Sequence, residues 1–144
     1  MESKEILRHK FREKKVRLSL PRLLVYQLFS KTSTPMSPRE VYQRLLKRGK
    51  HVGLTSIYRT LDLFESAGIL FKIVRGPTIR YKLCELEDHH HHIICNTCGD
   101  VGEFGFCDLS SLTRKVMKST GYQVMDHQLN LYGVCKICRK KGRT

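Results

Sequence analysis

Two Cys-x-x-Cys pairs, Cys95–Cys98 and Cys135–Cys138, are the residues of this chain best spaced to do chemistry, and four consecutive histidines, His89 to His92, stand just before the first pair. Four thiolates from two such knuckles saturate a tetrahedral zinc and leave no open position, which makes a structural site. The histidines and two further cysteines, Cys84 and Cys107, exceed what that one ion needs. A closed zinc staple with spare soft ligands is the donor inventory of a metal sensor.

The β-branched pair Ile93-Ile94 predicts that the histidine tract runs into a strand. Successive side chains on a strand point to opposite faces. His89 and His91 then face one way and His90 and His92 the other, so one tetrad can feed two metal sites. A solvated polar loop is the plain alternative, because a His-rich tract is only a compositional signal of metal binding. His127 stands alone, and a lone histidine in a strand is ordinarily a surface or core residue. Its claim to be a ligand rises here because a histidine pair short of donors is already at hand.

Composition sets the context for these ligands. A chain of 144 residues makes one ordinary domain or two small ones, and two small cores each need a staple. The opening residues Met1 to Glu5 are charged and lead into no apolar run, and no stretch approaches a membrane span, so a cytoplasmic protein with no membrane partner is expected. In that compartment the six cysteines read as metal ligands or free thiols rather than as disulfides. The formal charge of +14 is unevenly placed: residues 1–83 hold 19 Lys/Arg against 6 Asp/Glu, and residues 84–144 hold 8 against 7. Such segregation points to a polyanion, nucleic acid above all, as the partner of the first half.

The elements that must position these groups follow from local signals. Ser19-Leu20-Pro21 reads as a helix start, and Leu24, Val25, Leu28 and Phe29 form its apolar stripe. Ser37-Pro38-Arg39-Glu40 predicts a capping box, with Val41 and Leu45 on the buried face and Gly49 ending the helix. A third helix starts near Thr55 or Ser56 and stops at Gly68, with Ile57, Leu61 and Phe64 spaced for burial. Thr55, Ser56 and Arg59 lie on its other face, where a recognition helix meets base edges. Tyr58 fits either half-buried packing or contact with DNA, and contact is the preferred reading. Phe71–Val74 and Ile79–Leu83 flank Arg75-Gly76-Pro77 as a hairpin. Helices followed by a hairpin describe a winged helix-turn-helix.

Beyond the histidines, Val101–Phe104 reads as a strand. Asp108 or Ser110 then caps a helix carrying Leu112, Val116 and Met117, and Tyr122–Val134 alternates in part before reaching Cys135. The fold class expected is α+β, an N-terminal winged helix-turn-helix domain over residues 1–83, a hinge over 84–88, and a small α/β dimerisation domain over 89–144. No nucleophile–base pair or phosphate-binding glycine loop stands out, so a non-enzyme is expected. A thioredoxin-like enzyme needs one Cys-x-x-Cys in a βαβ unit. A structural zinc ribbon binding nucleic acid leaves the histidines idle, and a metal store leaves the basic half unexplained.

Three linked motifs carry a family resemblance. They are Gly53-Leu54-Thr55-Ser56-Ile57-Tyr58-Arg59-Thr60-Leu61, then His89 to Cys95 with Cys98-Gly99 and Glu103-Phe104, then His127 with Tyr132-Gly133 and Cys135-x-x-Cys138. Running in order from about Leu18 to Cys138, they resemble the ferric uptake regulator family. The resemblance implies a dimeric, metal-loaded repressor that binds palindromic operators of metal-uptake genes. It also implies a structural zinc and a regulatory metal near the hinge. The family's usual histidine and acidic hinge ligands fall near Pro35 and Lys82 and are missing here. Cys84 stands six and eight residues before His90 and His92, as in the zinc uptake regulator branch, so Cys84, His90, His92 and Glu103 are the expected regulatory set, with Glu85 as the alternative fourth ligand. The family's additional site maps onto His89, His91 and His127, with Asp108 nearest the position of its carboxylate. Thiolate with imidazole suits zinc better than iron(II). Zinc is therefore the preferred regulatory metal, with an iron(II)-responsive or a peroxide-sensing member as the alternative.

Overall fold

A computed structural model of the chain describes residues 4–86 and 88–142; Glu87, within the expected hinge, lies outside the described residues. The chain divides into two compact units, Met1–Cys84 and Glu85–Thr144.

The first unit orders its elements as α1 (Lys4–Glu13), α2 (Leu20–Phe29), α3 (Pro38–Lys47), α4 (Leu54–Ser66), β1 (Leu70–Arg75) and β2 (Thr78–Leu83). The capping box of α3 is complete: Glu40 N–H donates to Ser37 Oγ at 3.3 Å, and Ser37 N–H donates to Glu40 Oε2 at 2.7 Å. Ser19 takes the cap position of α2 without a side-chain hydrogen bond, so the proline in the first turn is the operative start signal there. Gly53 caps α4 and Leu54 opens it, slightly before the expected Thr55 or Ser56. Gly68, at φ +68°, stops α4 as Ile69 N–H turns back to Phe64 C=O at 2.8 Å, a bond that a left-handed residue makes possible.

β1 and β2 pair antiparallel from Leu70↔Leu83 to Arg75↔Thr78, leaving Gly76-Pro77 as the turn of the wing. Met36 adds one bridge to this ribbon by exchanging two backbone hydrogen bonds with Tyr81. The core behind these elements gathers Val25, Leu28, Phe29, Val41, Leu45, Ile57, Leu61 and Phe64. Helix α1 is an addition to the sequence reading. Its Leu7 and Phe11 enter the same core, and the Phe11 ring meets Tyr26 at 5.3 Å and Phe64 at 5.5 Å edge-on.

The second unit is built on a three-stranded sheet ordered β4-β3-β5, from β3 (His91–Cys95), β4 (Val101–Phe104) and β5 (Asn130–Gly133). β3 pairs antiparallel with β4 and parallel with β5. Helix α5 (Ser110–Thr120) makes the crossover between β4 and β5, and α6 (Lys136–Lys140) closes the chain. The strand begins at His91 rather than His89, and of the alternating stretch Tyr122–Val134 only Asn130–Gly133 is strand. Gly102 lies opposite Ile93, where a Cβ would approach Ile93 Cγ2 to 3.1 Å, a tight contact that glycine avoids. All residues of α5 are at least partly exposed, as are Tyr122, Met125, Leu131 and Tyr132, so this unit presents an uncovered apolar face. Among the described residues no helix is long and apolar enough to cross a membrane.

Candidate metal centres and nucleic-acid interface

Three groups of side chains converge with spacing suited to a metal ion, and in each the ligand atoms lie within 4.8 Å of one another. The first is Cys95, Cys98, Cys135 and Cys138. β3 delivers Cys95, the tight turn after it brings back Cys98, and Cys135 and Cys138 open α6, which explains why the sequence folds a one-turn helix there. Cys98 Sγ and Cys135 Sγ are 3.8 Å apart, matching the roughly 3.8 Å edge of a tetrahedron with zinc–sulfur bonds of about 2.3 Å. All six cysteines are unbridged. Backbone N–H groups of Cys135 and Cys98 aimed at its sulfur draw the Cys95 thiol down to about 6, while burial pushes Cys138 up to about 12. One preformed thiolate with protonated neighbours is an arrangement that a divalent cation completes by displacing protons.

The second group is Cys84, His90, His92 and Glu103. Cys84 is the last residue of the first unit and is peptide-bonded to Glu85, the first of the second. Sheet register supplies much of the rest: His92 on β3 lies directly opposite Glu103 on β4. The Glu103 carboxylate accepts from Glu85 N–H at 3.0 Å and from Leu86 N–H at 2.9 Å. His90 Nδ1 lies 2.7 Å from Asp88 C=O. A carbonyl only accepts, so Nδ1 carries the proton and Nε2 keeps the lone pair, the tautomer that an outer-shell carbonyl selects in a metal-ligating histidine. The donor set of one thiol, two imidazoles and one carboxylate fits a four-coordinate soft or borderline cation.

The third group is His89, His91, His127 and Cys107. Strand alternation sends His91 to the face opposite His92, as the tract's spacing predicts, and both are buried. His89 Nε2 lies 3.2 Å from His91 Nε2 and 3.1 Å from His127 Nε2. Burial lowers the His91 pKa, and the facing imidazoles of His89 and His127 lower it further, so this ring is neutral and ligand-ready at neutral pH. Asp108, the carboxylate expected here, is not in the group. Its Oδ1 accepts from the Ser110 hydroxyl at 2.8 Å and faces Ser110 N–H at the start of α5. In its place stands Cys107, whose sulfur is 3.2 Å from His127 Nε2. The sequence offered Cys107 as a spare thiol, but nothing in its spacing tied it to His127.

In the first unit, α4 buries Ile57, Thr60, Leu61 and Phe64 and exposes Thr55, Ser56, Tyr58 and Arg59. Tyr58 is 46% exposed. Arg80, beside the wing turn, is held by Pro35 C=O at 3.0 Å and faces Glu40 Oε2 at 3.4 Å.

Comparison with known proteins agrees along most of the chain. The model of the ferric uptake regulator family matches residues 13–132. The ferric uptake regulation protein of Neisseria gonorrhoeae is 40% identical over 126 residues, covering 85% of this chain and 86% of that protein. That of Escherichia coli K12 is 31% identical over 122 residues, covering 83% and 82%. Among solved structures, the Francisella tularensis ferric uptake regulator with iron superposes with a TM-score of 0.62 at 34% identity, covering 85% of this chain and 94% of that one. A zinc uptake regulator complexed with zinc and DNA reaches a TM-score of 0.74 over 96% and 93% of the two chains; at 22% identity that likeness is one of fold.

Proposed function

The chain belongs to the ferric uptake regulator family, and on that premise we propose that it is a zinc-responsive transcriptional repressor, binding palindromic operators of metal-uptake genes as a metal-loaded homodimer. The observation that carries the choice of metal is the second group, where Cys84 supplies a thiolate beside His90, His92 and Glu103. Sulfur with imidazole selects zinc over iron(II), whose sites draw more on carboxylate and imidazole. The four-cysteine group holds a structural zinc. The excess of Lys/Arg over Asp/Glu in residues 1–83 supplies the electrostatic grip on phosphates. Thr55, Ser56, Tyr58 and Arg59 on the outer face of α4 read bases in the major groove. The uncovered apolar face of the second unit is the surface that a second copy covers.

A metal held by Cys84, His90, His92 and Glu103 restrains the chain across residues 84–92. It therefore limits the arrangements open to the winged helix, and only some of them let the two recognition helices of a dimer meet both half-sites. Zinc acts as co-repressor to the extent that it binds the DNA-competent arrangement more tightly, since equal binding to all arrangements would shift nothing. The relatives named as ferric uptake regulation proteins favour iron(II) as the second reading.

Anaerobic DNA-binding titrations with zinc, iron(II) and manganese(II) separate the two readings. Zinc should drive binding at the lowest free concentration. Cys84→Ser should keep the structural zinc and the dimer yet need roughly 100-fold more zinc or beyond, since losing even an outer-shell partner of a ligand costs about 10–100-fold. A parent chain that answers to iron(II) and not to zinc gives the second reading. A Cys84→Ser chain that answers to zinc like the parent removes Cys84 from the regulatory site.

A further inference from the structure

Outside the four-cysteine staple, the third group holds the one exposed thiol among the described residues. Cys107 is an exposed thiol, whereas Cys84 is buried and Cys95 and Cys138 are buried within the staple. We propose that Cys107, in place of a carboxylate, completes the additional metal site of His89, His91 and His127 as its sulfur ligand and makes it selective for zinc over iron(II) and manganese(II).

The geometry is that of four donors converging on one point. A tetrahedral zinc with bonds of about 2.0–2.3 Å sets its ligand atoms roughly 3.3–3.8 Å apart. Here the His89–His91, His89–His127 and Cys107–His127 separations are 3.2, 3.1 and 3.2 Å, and all four donors lie within 4.8 Å. Hydrogen bonding alone accounts poorly for this convergence. A neutral imidazole has one N–H, so Nε2 of His89 can donate to one of the two nitrogens facing it and not to both. The ring contacts pack the set rather than splay it, with His89 4.6 Å from His91 and 4.7 Å from His127 between centroids.

The four donors arise from three separate stretches of the second unit. His89 and His91 flank the start of β3, His127 precedes β5, and Cys107 lies between β4 and α5. The neighbouring carboxylate is committed elsewhere, because Asp108 Oδ1 serves Ser110 at the helix start. Replacing a carboxylate by a thiolate keeps the ligand charge and raises its softness, which shifts preference from iron(II) and manganese(II) toward zinc. An exposed sulfur ligand also makes occupancy readable by thiol chemistry, since a zinc-bound thiolate is shielded from alkylating agents while a free one is not.

The experiment uses the full chain carrying Cys84→Ser, so that the outcome does not depend on the regulatory assignment above. With the staple loaded, zinc is titrated and the bound metal counted. Cobalt(II) is then followed by its thiolate-to-metal charge-transfer absorption, and iodoacetamide labelling of Cys107 is read by mass spectrometry. A second bound zinc, a charge-transfer band and zinc-dependent protection of Cys107 are expected. Adding Cys107→Ser should remove the band and weaken that zinc by roughly 100-fold or more. His127→Ala should likewise expose Cys107 to alkylation, and Asp108→Asn should change neither readout. Undiminished zinc affinity in the Cys107→Ser chain overturns the proposal. So does unprotected Cys107 at saturating zinc, or loss of the site on Asp108→Asn with the staple zinc still counted.

Discussion

Zinc loading of the four-cysteine staple must release protons, and the sulfur environments say from where. At neutral pH Cys95, drawn down to about 6 by backbone N–H donors, is already a thiolate, while burial keeps Cys138, pushed up to about 12, protonated. Protons compete with the metal, so zinc affinity should rise with pH, and rise more steeply once pH falls below about 6 and Cys95 also binds a proton. Calorimetry in buffers of different ionisation enthalpy checks the number released. Structural zinc of this type supplies about 10–16 kcal/mol of apparent binding energy that is also folding energy. Cys98→Ser should therefore lose the metal and unfold the second unit, while the helical first unit, with its own core, keeps its circular dichroism. A zinc-free variant with the parent's melting temperature would remove the staple from the account.

At the scale of elements, α3 shows how a local signal becomes a stable part. Burial raises the Glu40 carboxyl, but the Ser37 backbone N–H and hydroxyl, helped by Arg80 and Arg44, outweigh it and leave the group below its ordinary value. A depressed carboxylate contributes stability that is present above its unfolded pKa and lost as pH falls through its folded one. Glu40→Gln should thus cost roughly 0.3–1.5 kcal/mol at neutral pH, the worth of one capping interaction. The gap between variant and parent should close as pH drops through the carboxylate range. Paired urea titrations of the zinc-loaded chains measure it; a gap that stays constant with pH would assign the loss to packing. This element was legible because Ser-Pro-x-Glu is complete within four residues. Helix α1 was not, since its dense charges outnumber its few apolar residues, and Phe11 is packed by Tyr26 and Phe64 far along the chain.

At the scale of the whole molecule, the apolar face of the second unit bears on assembly. Leu112 is 55% and Val116 37% exposed one turn apart on α5, with Tyr132 66% exposed on β5. If a second copy covers this face, Val116→Glu buries a charge in that interface and should give a monomer by analytical ultracentrifugation, with the staple zinc retained. Affinity for a palindromic operator should then fall by roughly 100-fold or more, because the second half-site contact is no longer intramolecular. A dimeric Val116→Glu chain would place the interface elsewhere.

Sequence alone determined what depends on near neighbours. The Cys-x-x-Cys spacing, the opposite facing of alternate histidines in the tract, the Ser37 capping box and the glycine stop at Gly68 are all set within a few residues. The period of a strand or a helix turn carries such information without reference to the rest of the chain. For distant donors the family resemblance grouped Glu103 with His92 and His127 with His89 and His91, but only the tertiary structure decided how they meet and what completes the third group. Glu103 reaches His92 through β3–β4 register. Cys107 rather than Asp108 meets His127 because the irregular stretch between β4 and α5 points one of two adjacent side chains at the histidines and spends the other on the helix start. No periodicity runs through that stretch, so its side-chain directions follow from where its two ends are anchored.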